Sequence, residues 1–197
     1  EIAPHARVLL LEAEDRPGYH ATGRSAAFWS ETYGGPGVQP LTTASGPFLQ
    51  GGGFLEPLGA LHIGRVDEAA AIDAFLAAFA DSGVELRPID PRPMVPGLRD
   101  GWTLGIFEPS CAYIDVGALH AHYLAVAKQR DVTLVLSAAL ESATRGAGGW
   151  RLETPAGTFA TDLLVDAAGA WADPVARLAG AAPLGIQPYR RTMLQLK

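Results

Sequence analysis

The sequence predicts an α/β fold, a parallel sheet interrupted by an inserted lobe of antiparallel strands. Three observations predict it. Val8-Leu9-Leu10-Leu11 is a continuous apolar run closed by Glu12. Continuous rather than alternating apolarity marks a strand covered on both faces, as in parallel sheets. Leu163-Leu164-Val165 repeats the pattern and runs into Asp166-Ala167-Ala168-Gly169-Ala170-Trp171. Between these segments, from Gly34 to Gly64, glycine and proline are dense and no long period holds, the mark of a crossing between lobes.

The elements follow in order. Asp15-Arg16-Pro17-Gly18 breaks the first strand. Residues 22–33, TGRSAAFWSETY, read as a short helix with Thr22 as N-cap and Gly34-Gly35-Pro36 as its stop. Residues 58–65, LGALHIGR, form the next expected strand. Asp67 to Ser82 is the clearest helix, because Ile72, Phe75, Leu76 and Phe79 fall at i, i+3, i+4 and i+7. Asp67 is placed to cap it and Gly83 to take the left-handed position after it. Residues 87–98, with four prolines, are expected to be irregular, and 102–108 to form a strand. Asp115 opens a second amphipathic helix with Val116, Leu119, Tyr123 and Val126 on one face. Residues 132–136 make a short strand. Residues 150–154 alternate with period two, turn at Pro155-Ala156-Gly157 and return over 158–161 as a hairpin. Asp173-Pro174 suits the N-cap and first turn of a short helix that ends near Gly180.

Composition narrows the function. A chain of 197 residues fits one large domain or a domain with a lobe inserted. The net charge of −6 argues against a nucleic-acid role, which needs a basic face. The single cysteine, Cys111, allows no internal disulfide and suits a reducing compartment, so a cytoplasmic protein is expected. No apolar run approaches the ~20 residues that span a membrane, and no signal-peptide pattern opens the chain. His120 and His122 are two apart on a helix and point different ways, while His5, His20 and His62 have no spaced partners. No metal site is expected. Cys111 reads as a buried small hydrophobe, and no GxSxG elbow is present. Tyr189-Arg190-Arg191 reads as a solvated strand edge.

Three segments are candidates for chemistry. Glu12 stands at the carboxyl end of a strand, where open α/β sheets bind ligands. An acid there accepts hydrogen bonds from vicinal ribose hydroxyls, or it is an ordinary strand-end acid. The glycine-rich loop that partners such an acid lies ~20 residues upstream, which falls before residue 1. Thr22 to Ala27 puts small residues, hydroxyls and Arg24 at a helix start, where backbone N–H groups favour an anion; a simple capped helix is the alternative. Ala167 to Trp171 follows a strand and precedes a helix. Its small residues let the main chain approach a ligand, or serve tight strand-to-helix packing.

Taken in order, these pieces resemble the FAD-dependent oxidoreductases of the D-amino acid oxidase family, which includes glycine oxidase, sarcosine oxidase and D-amino acid dehydrogenases. The resemblance lies in RVLLLEAEDRPG, HATGRSAAFW, EPSCAYIDVGALHAHYLAVAKQRDVTLVLSAALES and GGWRLETPAGTFATDLLVDAAGAWADPVARLAG. It covers most of the chain, with residues 36–107 matching loosely. QPYRRTM resembles the return into a substrate lobe, and EIAPHA the tail of a first helix.

The resemblance implies a Rossmann-like FAD-binding parallel sheet from residues 1–35 and 108–182. It implies an antiparallel substrate lobe from 36–107 and 183–197, the whole truncated at both ends. Glu12 would hold the adenosine ribose and Ala13 would lie along the adenine. Thr22, Gly23, Arg24, Ser25 and Ala26 would line the pyrophosphate and the ribityl side. Leu140 would offer its backbone to the adenine edge. Ala167, Ala168 and Gly169 would pass the pyrophosphate, with Trp171 packed nearby.

The implied reaction is oxidation of the C–N bond of an amino acid or secondary amine by hydride transfer to flavin N5. The flavin carries the chemistry, and no catalytic residue is assigned. The implied partners are a small amine or amino acid substrate and the missing parts of the same protein or a companion chain. The alternatives are a FAD-dependent 2-hydroxy acid dehydrogenase, and a non-catalytic subunit that joins a chain carrying the phosphate loop.

Overall fold

The computed structural model describes residues 6–189. The chain separates into two compact units: one takes the chain up to Ser25 and from His120 onward, the other Ala26–Leu119.

The first unit holds the parallel pairing. Strand β1, Leu9–Leu11, pairs in parallel with β8, Thr133–Val135, in the register Leu9↔Thr133, Leu10↔Leu134 and Leu11↔Val135. Backbone bonds extend it on both sides, from Thr133 N to Val8 O and from Glu12 N to Val135 O. The apolar run is therefore a strand, but it is not covered on both faces. Leu9 is 37% and Leu10 41% exposed, and this sheet has two strands among the described residues.

The second sheet of this unit is antiparallel, in the order β11-β10-β9. It comprises β9 (Ser142–Gly146), β10 (Gly149–Thr154) and β11 (Gly157–Thr161). The alternation over 150–154 puts Leu152 on the covered face, 3% exposed. The expected hairpin is present, and β9 adds a strand that periodicity did not reveal. Leu163-Leu164-Val165, expected as a buried strand, forms no strand. Leu163 is 68% and Val165 62% exposed. A run this short has no structure of its own, and no neighbouring strand pairs with it. Helix α4, Ala172–Leu178, ends before Gly180 as expected. Its N-cap is Trp171 rather than Asp173. The buried Asp173 carboxylate instead accepts the backbone N–H groups of Leu184 (2.9 Å) and Gly185 (3.0 Å), tying the outgoing chain back to the helix.

The second unit carries two three-stranded antiparallel sheets. One has the order β2-β7-β3, from Phe28–Trp29, Ala112–Ile114 and Leu55–Pro57. The other has the order β4-β6-β5, from Ala60–Gly64, Leu104–Glu108 and Arg87–Ile89. The helix expected over 22–33 does not form. Thr22–Arg24 makes one 3-10 turn without a side-chain cap, and Phe28-Trp29 extends to pair with Tyr113 and Ala112. Sheet pairing outweighs the weak local preference for helix.

The reverse error falls at 39–51. Helix α1, Gln39–Gly51, fills part of the stretch that composition marks as a crossing. Its prolines hid it: Pro40 lies in the first turn, where no N–H is required, and Pro47 lies inside the helix. Gly46 brings α1 against Trp29, since a Cβ there would lie 3.0 Å from the indole. The Trp29 Nε1–H donates to Thr42 O at 3.0 Å. Pro88 likewise did not prevent a strand. β5 is the edge of its sheet, where a missing donor is tolerated.

Helix α2, Ala69–Ala78, follows a 3-10 turn over Val66–Glu68. The 3-10 turn is closed by the Glu68 side chain accepting the Arg65 N–H at 2.8 Å, and α2 itself starts without a side-chain cap, so Asp67 does not cap it. Ile72, Phe75 and Leu76 are half-buried and Phe79 is buried, as the periodicity predicts. Helix α3, Val116–Gln129, starts where Asp115 Oδ1 accepts the Ala118 N–H at 2.8 Å. Its half-buried positions are Val116, Leu119, His120, Leu124 and Ala127, whereas Tyr123 and Val126 are exposed. The expected stripe is thus correct at its start and displaced after one turn. Among the described residues no helix is long and apolar enough to cross a membrane.

Candidate functional site

The carboxyl end of β1 organises the first unit. Glu12 follows the strand and is half-buried. Its Oε1 accepts the Glu14 N–H at 3.0 Å, and no other donor reaches this carboxylate among the described residues. Ionised carboxylate offers about four lone-pair sites, so most of its accepting capacity stays open. The backbone around it is pinned. Ala138 N donates to Glu12 O and Ser137 N to Glu14 O, both at 2.8 Å. This brings 137–138, and with them half-buried Leu140 two residues on, to the strand end. Ala13 is exposed beside Glu12.

The loop that follows closes on itself. Gly23 N donates to Gly18 O at 2.7 Å, and a Cβ on Gly23 would sit 2.7 Å from that same oxygen. A residue larger than glycine cannot keep this turn. Thr22 is half-buried, and Gly23, Arg24 and Ser25 are exposed. The Thr22 and Ser25 hydroxyls make no hydrogen bond among the described residues. Arg24 lies 4.8 Å from the centre of the Tyr19 ring, and Arg16 lies 4.7 Å from it. Two guanidinium groups held on one aromatic ring give this loop its positive charge. Ala26 opens the second unit and is exposed.

The third segment reaches the same loop. Gly169–Trp171 is a 3-10 turn entered by Ala168, whose N–H donates to Asp166 Oδ1 at 3.0 Å. Gly169 has φ +56°, and nothing lies within 4 Å of its absent Cβ. Glycine is needed here for its backbone conformation rather than for clearance inside the protein. Ala167 is exposed and Ala168 half-buried. Trp171 packs its ring 4.5 Å from that of His20, and His20 Nε2–H donates to Glu14 Oε1 at 2.6 Å. The strand-end acid, the TGRS turn and the AAGAW turn are thus joined by contacts within one unit.

Sequence reasoning missed Glu14, Tyr19 and His20, because isolated residues without spacing carry no periodic signal. It also missed Glu108 in the second unit. That carboxylate has no exposed surface and accepts Ser30 Oγ (3.1 Å), Glu31 N–H (2.8 Å), Thr32 Oγ1 (2.6 Å) and His62 Nε2 (3.4 Å). It anchors the 30–32 turn to β6. Cys111 is 2% exposed, and burial pushes its thiol up. Arg190 and Arg191 lie outside the described residues, as do Glu1–His5 of the expected helix tail and most of the expected return into the substrate lobe.

The donor set fits a dinucleotide. A strand-end carboxylate with unused acceptors suits a ribose diol, and the Thr22 and Ser25 hydroxyls with the Arg24 guanidinium suit a diphosphate, while Arg16 pairs with Asp15 at 3.8 Å. A parallel pair with an acid at its carboxyl end is the architecture of dinucleotide-binding α/β proteins. Within that class, the model of the family described as FAD dependent oxidoreductase matches residues 2–197, and the chain belongs to this family.

Solved structures share its fold. Glycine oxidase from Geobacillus kaustophilus aligns with a TM-score of 0.74 at 19% identity, over 90% of this chain and 53% of its own. L-alpha-glycerophosphate oxidase from Mycoplasma pneumoniae, solved with FAD bound, gives 0.78 at 13%, over 89% and 51%. L-proline dehydrogenase from P. horikoshii gives 0.76 at 15%, over 89% and 56%. The chain spans about half the length of each.

Proposed function

We propose that the protein oxidises the carbon–nitrogen bond of an amino acid or secondary amine, using FAD. The observation that carries this reading is the family match across residues 2–197. It is supported by fold neighbours named as a glycine oxidase and an L-proline dehydrogenase. Bound FAD would supply the acceptor for the hydride that leaves the substrate carbon, and hydrolysis of the resulting imine would give a carbonyl compound together with ammonia from an amino acid or an amine from a secondary amine.

The chain's own residues hold and orient the cofactor. Glu12 accepts the ribose hydroxyls of the adenosine, and Ala13 and the Leu140 backbone flank the adenine. Thr22, Gly23, Arg24, Ser25 and Ala26 serve the pyrophosphate and ribityl side, and Ala167, Ala168, Gly169 and Trp171 close the pyrophosphate side. A hydrogen bond to a charged acceptor contributes about 1.5–3 kcal/mol. Glu12→Ala is therefore expected to weaken FAD binding by ~10-fold or more, read by fluorescence titration of the full-length apoprotein. Unchanged affinity would remove Glu12 from the site.

The substrate is tested on the full-length flavoprotein with D-amino acids, glycine and N-methylated amines, following flavin bleaching under anaerobic conditions. Reduction by these supports the proposal. The likeness to the L-alpha-glycerophosphate oxidase fold favours a second reading, oxidation of a carbon–oxygen bond. Reduction by 2-hydroxy acids or glycerol phosphates, with the amines inert, would establish it instead. A protein that carries no flavin would point to a non-catalytic subunit.

A further inference from the structure

We propose that His20 is a positioning residue for the nucleotide cofactor, holding the AAGAW turn in register with the loop after β1. The proposal rests on the FAD assignment above and not on the identity of the substrate. An ionised carboxylate only accepts, so the 2.6 Å contact to Glu14 Oε1 makes Nε2 the protonated nitrogen and sets the orientation of the imidazole. Glu14 is itself held, since its carbonyl accepts the Ser137 N–H at 2.8 Å. The oriented ring meets the Trp171 indole at 4.5 Å with 54° between planes. It also meets the Tyr19 ring edge-on at 5.0 Å, and Arg16 and Arg24 lie over the Tyr19 ring. One side chain therefore touches the acid-bearing strand end, the guanidinium-bearing loop and the AAGAW turn.

These are the three segments that must present their polar groups to one extended ligand at a constant separation. The AAGAW turn gets little help from packing: Gly169 and Ala170 are exposed and Trp171 is 50% exposed. Without His20 the turn would have to be ordered by the ligand, and ordering a loop on binding is charged against affinity. His20 accordingly acts on the affinity for FAD more than on the stability of the apoprotein. A residue with a merely structural role would do the reverse.

The test uses the full-length apoprotein, FAD titration and thermal melting. His20→Ala and Trp171→Ala should each weaken FAD binding about 10-fold, while the apoprotein melting temperature moves by no more than ~2 °C. The double variant should be no worse than either single one, because both remove the same contact. Trp171→Phe, which keeps a ring against His20, should lose less FAD affinity than Trp171→Ala. Glu14→Leu, which frees the imidazole without removing it, should reproduce the loss if His20→Ala fails to fold.

Wild-type FAD affinity in His20→Ala, or in Glu14→Leu where that variant stands in, would overturn the proposal. So would additive losses in the double variant, or a fall in apoprotein melting temperature that accounts for the lost binding. A full-length protein that binds FAD and oxidises no amine leaves His20 in this role and removes the proposed substrate class. A full-length protein that binds no FAD removes both.

Discussion

Glu108 ends β6 with no exposed surface, and a carboxylate in that position needs every donor that faces it. Burial pushes its pKa up. The hydrogen bonds from His62, Thr32, the Glu31 N–H and Ser30 outweigh that and hold it below the ordinary 4.5. A folded-state value below the unfolded one adds stability above about pH 4.5, lost as the pH falls through the folded value. Denaturant melts from pH 7 down to pH 3 should therefore show a steeper acid decline for wild type than for Glu108→Gln. Coincident curves would mean the carboxylate charge contributes nothing. Glu108→Ala, which strands several buried donors, should cost roughly 3 kcal/mol at pH 7. Asp173 makes a smaller claim of the same kind. Asp173→Asn keeps one acceptor of two, so hydrogen exchange at Leu184 and Gly185 should quicken with a loss of about 1 kcal/mol. Neither role was legible in the sequence, because a lone acid gives no hint of which distant donors will meet it.

Elements with a strong period were legible, and those set by pairing were not. The stripe Ile72, Phe75, Leu76, Phe79 gave α2, the alternation at 150–154 gave the β10–β11 hairpin, and Asp115 gave the start of α3. Residues 22–33 carry helix-like spacing, yet Phe28-Trp29 joins β7, since a strand's fate depends on a partner some eighty residues away in sequence. Helix α1 went unread because Pro47 and two glycines lower its propensity, while contact with Trp29 compensates. Gly46→Leu should therefore overpack that contact and destabilise by about 1–3 kcal/mol, with a shift in Trp29 fluorescence; an unchanged melt would show that α1 yields freely. In the β9–β11 sheet, Leu152→Ala should cost about 2–4 kcal/mol, because Leu152 is 3% exposed. Faster exchange across β10 would locate the loss.

At the scale of the whole molecule, apolar surface is left open within the first unit. Leu163, Val165 and Leu184 are 68%, 62% and 82% exposed. The 197-residue chain expressed by itself is expected to bind a hydrophobic dye. Leu163→Ser with Val165→Thr should reduce that signal, and no change would place the dye elsewhere. In the full-length protein the cofactor adds its own stability: FAD at 100 times its Kd should raise unfolding free energy by about 2.7 kcal/mol, seen as a rise in melting temperature that Glu12→Ala diminishes.

By itself the sequence determined the α/β class, the strand ending in Glu12, the helices with a full apolar stripe and the membership signalled by the TGRSAA and AAGAW segments. Each of these is written in adjacent residues, as a period or a short motif. Tertiary structure decided that 28–29 is strand and 39–51 helix, that Leu163-Leu164-Val165 lies open, and that Glu14, His20 and Trp171 meet. Those outcomes depend on contacts between residues far apart in the chain, whose energies exceed local propensity and leave no trace in local spacing.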